Sequence, residues 1–315
     1  MKPKNLILAV LCTILMSAGI AEAQDVQLLV AARNDCLDSS AIKTSTLYNV
    51  NLPTSQVEPI GSIGFLGITA LEFLGDGRLV GSASDDAPDR DPKRAILIDI
   101  SPNTGASSLI GEIGDDETLG ECGRAPGLTY DHTTNTLFAT GDSCPDNNDD
   151  FLQTINQLTG QGTQVGSYMP FNGSGNGIAI RDDGVIFVSA AEELITVNPQ
   201  TGAPTKIADI QIIVESDDFI FINALAFHPV TGQLYGTTVD QSDPPNGKSS
   251  KLIILDTETG ETQIVGNLPD CSDGLVFRIL PSRHIPTLSE WGLIAMAGIL
   301  GIVGFMVIRR RKVAA

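Results

Sequence analysis

Residues 95–114 read AILIDISPNTGASSLIGEIG: an apolar run, a turn at Ser101-Pro-Asn-Thr-Gly105, then a short apolar run ending near glycine. Glycine at the end of such a turn supplies the positive φ that a tight hairpin needs. The unit recurs. Asn51-Leu-Pro-Thr-Ser55 leads into PIGSIG, Asn156-Gln-Leu-Thr-Gly160 into QVGSY, Asn198-Pro-Gln-Thr-Gly202 into KIADI, and Asp256-Thr-Glu-Thr-Gly260 into IVGNL. Four turns end in Thr-Gly and the first in Thr54-Ser55; an apolar strand precedes each (TLYNV, AILIDI, FLQTI, ELITV, KLIIL).

A second hairpin precedes four of these units, at residues 68–82, 127–140, 177–190 and 224–237, each a strand, a turn with Gly or Asn, and a strand. Four strands per unit at a spacing of roughly 40–60 residues is the pattern of a β-propeller blade. Isolated hairpins cannot bury their faces, whereas blades stacked in a ring can. The first unit lacks its leading strand, and the far end of the body has a spare one: Gly274-Leu-Val-Phe-Arg-Ile279 matches the inner strands, and Leu28-Leu-Val-Ala-Ala32 matches their partners. The expectation is an all-β, five-bladed propeller over residues 24–280, closed by pairing the last strand beside the first and so leaving no long open edge. A six-bladed ring using residues 205–223 as extra strands is the alternative.

The chain has 315 residues, 38 Asp plus Glu against 19 Lys plus Arg, and a formal net charge of −19. Both termini are net positive, so the body is more acidic still. Such a surface repels phosphate backbones, which argues against nucleic-acid binding. With apolar residues at 42% in short regular runs, the body is not disordered.

Residues 1–23 read as an export signal: Lys2 and Lys4, an apolar stretch from Leu6 to Ile20, and Ala21-Glu22-Ala23 before Gln24. A retained anchor is the alternative, but the apolar run is short for a span. Cys12 lacks the small residues expected before a lipidated cysteine. At the other end, Trp291 to Ile308 carries no charge and is followed by Arg309-Arg310-Arg311-Lys312. That length suits a transmembrane helix over 291–308 with residues 309–315 as a basic cytoplasmic tail and the body outside; a buried core helix is the rival reading.

Before the span, in the linker 281–290 and the start of the helix, stand Ile285, Pro286, Thr287, Leu288, Trp291 and Gly292. This motif, with its hydrophobic helix and basic tail, resembles the IPTL-CTERM (IPTLxxWG) sorting signal of exported Gram-negative bacterial proteins. The resemblance implies recognition by an exosortase-like membrane transpeptidase, removal of the helix, and delivery to the cell surface or beyond. Pro286 disfavours helix in the residue before it, leaving an extended segment, and Trp291 suits the membrane interface.

Four cysteines remain after export, and four allow three pairings. Cys122 lies just before the inner strand of its hairpin and Cys144 just after the returning strand; Cys271 and Cys36 hold the same two positions in the terminal unit. The expected pairs are therefore Cys122–Cys144 and Cys36–Cys271, in an oxidising compartment. With no CxxC spacing, a zinc site is the weaker reading.

Chemistry is sparse. His132 falls in a hairpin turn, His228 at a strand end and His284 in the linker, and none has metal-ligand spacing. No GxSxG, P-loop or dinucleotide fingerprint occurs, and GSGNG at 173–177 leads into a strand rather than a helix. Acids gather in loops expected on one face of the ring, including Asp85, Asp86, Asp142, Asp146, Asp149, Asp240 and Asp243. Oxygen ligands at that density suit Ca²⁺, against the plainer reading of a solvated acidic surface; the chain calls for no other cofactor. The functional expectation is a non-enzymatic cell-surface module binding an envelope or matrix polysaccharide or protein. The alternative is a carbohydrate-active hydrolase with paired carboxylates in the central funnel, and a third reading is an adhesin dependent on a divalent ion.

Overall fold

The computed structural model describes residues 25–33, 44–52, 54–84, 95–113, 125–141, 150–171, 175–211, 220–240, 249–280, 294–303 and 305. Val26–Ile279 forms one compact unit. It contains five four-stranded antiparallel sheets, the blades of a propeller.

Blade 1 joins β1 (Val26–Ala32), β2 (Thr46–Asn51) and β3 (Gln56–Ser62) to β20 (Ser272–Ile279) as its innermost strand. Blade 2 runs β4 (Ile68–Phe73), β5 (Leu79–Ser84), β6 (Ala95–Ile100) and β7 (Ser107–Glu112); blade 3 runs β8 (Leu128–Asp131), β9 (Thr136–Gly141), β10 (Phe151–Ile155) and β11 (Gly162–Ser167). Blade 4 comprises β12 (Gly175–Ile180), β13 (Ile186–Ala190), β14 (Glu193–Val197) and β15 (Pro204–Asp209), and blade 5 comprises β16 (Ile220–Phe227), β17 (Leu234–Asp240), β18 (Ser250–Leu255) and β19 (Thr262–Leu268). Closure follows the expected register, with Ala31 opposite Gly274, Val30 opposite Leu275 and Val26 opposite Ile279. The six-bladed alternative fails because residues 204–209 are the outer strand of blade 4 and residues 220–227 the inner strand of blade 5.

The core is divided among the seams. One apolar cluster sits between each adjacent pair of blades: Leu47 and Ile63 meet Ile68 and Ile98; Val80 and Leu97 meet Leu128 and Leu137; Leu152 and Tyr168 meet Ile178 and Val188; Phe187 and Leu194 meet Ile222 and Ile253; and Leu252 and Leu268 meet Leu28 and Leu275. Buried serine hydroxyls lock four of these seams. Ser82 donates to the Ala125 carbonyl at 2.6 Å and Ser189 to the Ile222 carbonyl at 3.0 Å, while Ser45 accepts from the Ile68 N–H and Ser250 from the Ser272 N–H.

A second belt runs round the rim. In the outer turns Gly105, Gly160, Gly202 and Gly260 have positive φ, and Ser55 takes the same conformation at φ 53°. Asn51, Asn156, Asn198 and Asp256 cap their turns by accepting backbone N–H groups through the side chain. Each outer strand bulges at the same place, opposite Leu47/Tyr48, Leu97/Ile98, Leu152/Gln153, Leu194/Ile195 and Leu252/Ile253. Beside each bulge the strand passes so close to the turn of the next blade that a Cβ on Gly61, Gly111 or Gly166 would overlap the carbonyl of Thr104, Thr159 or Thr201, and one on Gly266 would press on Ser55. Blade 4 carries Ala208 there, accommodated against Gly260 and reinforced by hydrogen bonds from Gln211 to Gly260 and from Thr262 to Gln211. Glycine in IGSIG and IGEIG is thus a demand of the neighbouring blade.

Outside the ring, residues 294–303 form a helix whose apolar side chains are exposed, Ile294, Ile299 and Leu300 among them. Ten residues reach about 15 Å. Among the described residues no helix is long and apolar enough to cross a membrane; of the span expected over 291–308, residues 291–293, 304 and 306–308 lie outside the described residues. Residues 1–24, which hold the export signal, lie outside the described residues.

Overpacking a tight contact costs about 1–3 kcal/mol. Gly111→Ala should therefore lower the melting temperature of the exported protein by several degrees, and Ala208→Gly should change it far less. Thermal unfolding followed by circular dichroism checks both; equal effects would refute the rim contact.

Candidate functional site

The innermost strands β4, β8, β12, β16 and β20 surround the axis of the ring. Their register with the second strands sets one residue of each at a common level: Glu72, Thr129, Ala179, Ala226 and Val276. All five line a cavity of about 360 Å³. Asp131, His132, Arg181, Asp182 and His228 complete it, so the cavity lies at the end of the ring that carries the inner hairpin turns.

Glu72 is the one acid at that level. Its Oε1 accepts the Phe73 N–H at 2.7 Å, and the carboxyl takes a further hydrogen bond from the Tyr130 N–H of the next blade. Burial pushes its pKa up to about 8, outweighing the two backbone bonds that favour the ionised form. At neutral pH the protonated form is therefore favoured, able to donate as well as accept. Thr129 makes the corresponding reach one blade on, its Oγ1 accepting the Ile180 N–H at 2.9 Å.

The charges at the turns are spoken for. Burial works to raise the pKa of Asp131, but hydrogen bonds from the Thr134 hydroxyl (2.7 Å) and from the N–H groups of Thr133 (2.7 Å) and Thr134 (3.3 Å) hold it below the usual range. Arg181 is held in a fork by Asp183, at 3.0 and 2.8 Å, and lies over the Phe187 ring. His228 performs in its turn what Asp131 performs two blades earlier: Nδ1 accepts the N–H groups of Val230 and Thr231. With Nδ1 an acceptor, the neutral imidazole carries its proton on Nε2, and burial lowers its pKa, favouring that neutral form. The ring packs 5.1 Å from that of Phe277. His132 stands edge-on to Tyr130 at 4.8 Å.

Both His132 and His228, which the sequence reading leaves in turns, thus line the cavity as well. Glu72 is missed altogether. Its signal is an acid within an inner strand where the other repeats place Thr, Ala, Ala and Val, visible only once the five units are set in register.

The acidic loop residues fare differently. Asp85, Asp86, Asp142, Asp146, Asp149 and Asp243 lie outside the described residues, and Asp240 ends β17. Ser84, Gly141 and Asp240, the strand ends where those loops begin, are at the opposite end of the inner hairpins from the cavity. Among the described residues no group of three or more His, Cys, Asp or Glu could hold a metal ion. Cys271 is buried, has φ 57° and is disulfide-bonded; Cys36, Cys122 and Cys144 lie outside the described residues, so no cysteine pair is described.

The sorting motif, Ile285, Pro286, Thr287, Leu288, Trp291 and Gly292, also falls outside the described residues; what is described of the tail is the exposed apolar helix at 294–303 and Phe305. Residues 285–312 match the IPTL-CTERM motif. The IPTL-CTERM segment is confined to the tail, and the ring has a separate set of likenesses. No curated protein matches the chain. A chain from the crystal structure of a nidogen/laminin complex shares 13% identity at TM-score 0.46, the alignment covering 80% of this chain and 98% of that one. TolB from Acinetobacter baumannii shares 13% identity at TM-score 0.46, over 83% of this chain and 57% of TolB.

The Glu72 shift fixes the sign of a stability effect. A carboxyl whose folded pKa stands at about 8 against an ordinary 4.5 stabilises the fold fully below about pH 4.5, and that contribution is lost as pH rises to about 8. Glu72→Gln should flatten this fall. Urea unfolding of both proteins at pH 5, 7 and 9 measures it; a difference between them that stays constant across those pH values would show that Glu72 titrates normally.

Proposed function

We propose that this chain is an exported cell-surface protein, a non-enzymatic propeller that binds a partner, delivered through its C-terminal IPTL-CTERM segment. The observation that carries the reading is the match over residues 285–312, placed directly after a closed five-bladed ring. The tail is recognised by an exosortase-like transpeptidase at the membrane. Residues 291–308 hold the chain in the inner membrane, with the body outside, until the enzyme cuts near Thr287-Leu288. An envelope or matrix polysaccharide or protein is the partner. Cys36–Cys271 and Cys122–Cys144 form outside the cell; the Arg33 N–H, three residues before Cys36 in sequence, is bonded to the Cys271 carbonyl at 3.0 Å. A bond closing that long loop is worth about 3–5 kcal/mol in the chain-entropy model.

The arrangement of carboxyls supports binding over hydrolysis. Glu72 has the protonated state of a general acid, but glycoside cleavage needs a second, free carboxylate as base or nucleophile. Asp131 spends both oxygens on its own turn, and Asp182, the remaining acid of the cavity, is exposed in the turn of blade 4.

Intact-mass analysis tests the sorting step. The exported protein should lack residues 1–23 and those beyond the motif, and a Pro286→Ala, Trp291→Ala double variant should keep the tail and stay with the membrane. A full tail on both proteins would overturn the proposal. Under non-reducing conditions, peptide mapping should recover the two stated cysteine pairs, and Cys271→Ser should lower the melting temperature.

A further inference from the structure

The axial cavity has a chemistry of its own, independent of how the tail is processed. At the shared level, Glu72 and Thr129 reach backbone N–H groups of the following inner strand, those of Tyr130 and Ile180. His228 and Leu280 donate their N–H groups to Gln233 and Asp25 on the second-strand side, so strand alternation turns those of Phe227 and Phe277 toward the axis, where the residues that would reach them, Ala179 and Ala226, have no acceptor. His228 adds an Nε2–H fixed by its turn bonds, beside the face of Phe277. Glu72 contributes a carboxyl that accepts from the backbone amides of Phe73 and Tyr130. Arg181 is committed to Asp183 and Asp131 to Thr133 and Thr134. The site is rich in fixed donors and poor in free charge, and its volume of about 360 Å³ stands at the small end of ligand pockets.

We propose that this cavity binds one neutral, hydroxyl-rich unit of monosaccharide size, its oxygens on the Phe227 and Phe277 amides, the His228 Nε2–H and the Glu72 carboxyl. A free anion is disfavoured by the acidic chain, which carries a net charge of −19. For a cation, Asp131 is committed to its turn and Glu72 to two backbone amides, which leaves only Asp182, exposed in the turn of blade 4, among the cavity's acids. The inference deepens the binding half of the proposed function; the sorting half does not bear on it.

The test is isothermal titration of the exported protein, cut and uncut, against glucose, galactose and N-acetylglucosamine, with glucuronate and putrescine as charged probes. At least one neutral sugar should bind saturably in the millimolar range, and the charged probes should bind at least tenfold more weakly. Ala226→Leu fills the cavity and should abolish binding. His228→Asn keeps an acceptor for the turn while removing Nε2–H and should weaken binding at least tenfold at an unchanged melting temperature. The titratable and charged groups facing the cavity are Glu72, Tyr130, Asp131, His132, Arg181, Asp182 and His228, with Arg278 behind Phe73. Of these, Glu72 alone should make binding fall between pH 7 and pH 9, and Glu72→Gln should remove that fall. Equal binding of the free sugar and of a glycan ending in it identifies a chain end as ligand; loss with the glycan identifies the free sugar. Saturation by none of the neutral sugars, preference for a charged probe, or full binding by Ala226→Leu would overturn the assignment. Because the cut and uncut chains are titrated side by side, the outcome here stands or falls separately from the sorting proposal, which the intact mass decides.

Discussion

The ladder between β20 and β1 is what makes the molecule possible. Each four-stranded sheet has two apolar faces and no core of its own, and the apolar residues meet only in the seams. Opening one seam exposes both of its faces, and the first and last blades would each lose a wall. The seven residue pairs between β1 and β20 turn a row of sheets into a circle in which every face is covered.

Around that constraint the sequence is written in two layers. The turn residues and apolar strands build each blade locally. The glycines beside the outer-strand bulges, the buried serines and the axial residues answer to the neighbouring blade. Gly111 illustrates the division: nothing within blade 2 asks for glycine there, and the Thr159 carbonyl of blade 3 does. Blade 4 shows that the demand can be met otherwise, with Ala208 admitted and a pair of hydrogen bonds through Gln211 added.

This explains what could be read from the chain. The blades, their turns and the closing strand were legible because hairpin chemistry is local and repeats five times. Even the departure of Ser55 from glycine fits, since that residue holds the same positive φ. The cavity was not legible. Glu72 sits in ITALEF like any polar residue of a half-buried strand, and its environment is made by four strands distant in sequence. His228 before Pro229 reads as a turn residue, and it is one; that it also lines the axial cavity depends on strands distant in sequence. The aspartate-rich loops drew the eye through composition, a signal that reports charge and not convergence.

The pairing of Val26 with Ile279 places the exit toward the tail on the strand that shuts the circle. A protein held by that tail would feel drag from the surrounding fluid first at this rung. Because Val26 and Ile279 stand together at one end of the pair, a pull on Ile279 directed away from β1 peels the rungs in succession instead of shearing them together, the softer of the two loading directions. The place where the circle is fastened is then also where a mechanical pull would begin to undo it, and release from the tether would relieve the strand of that load.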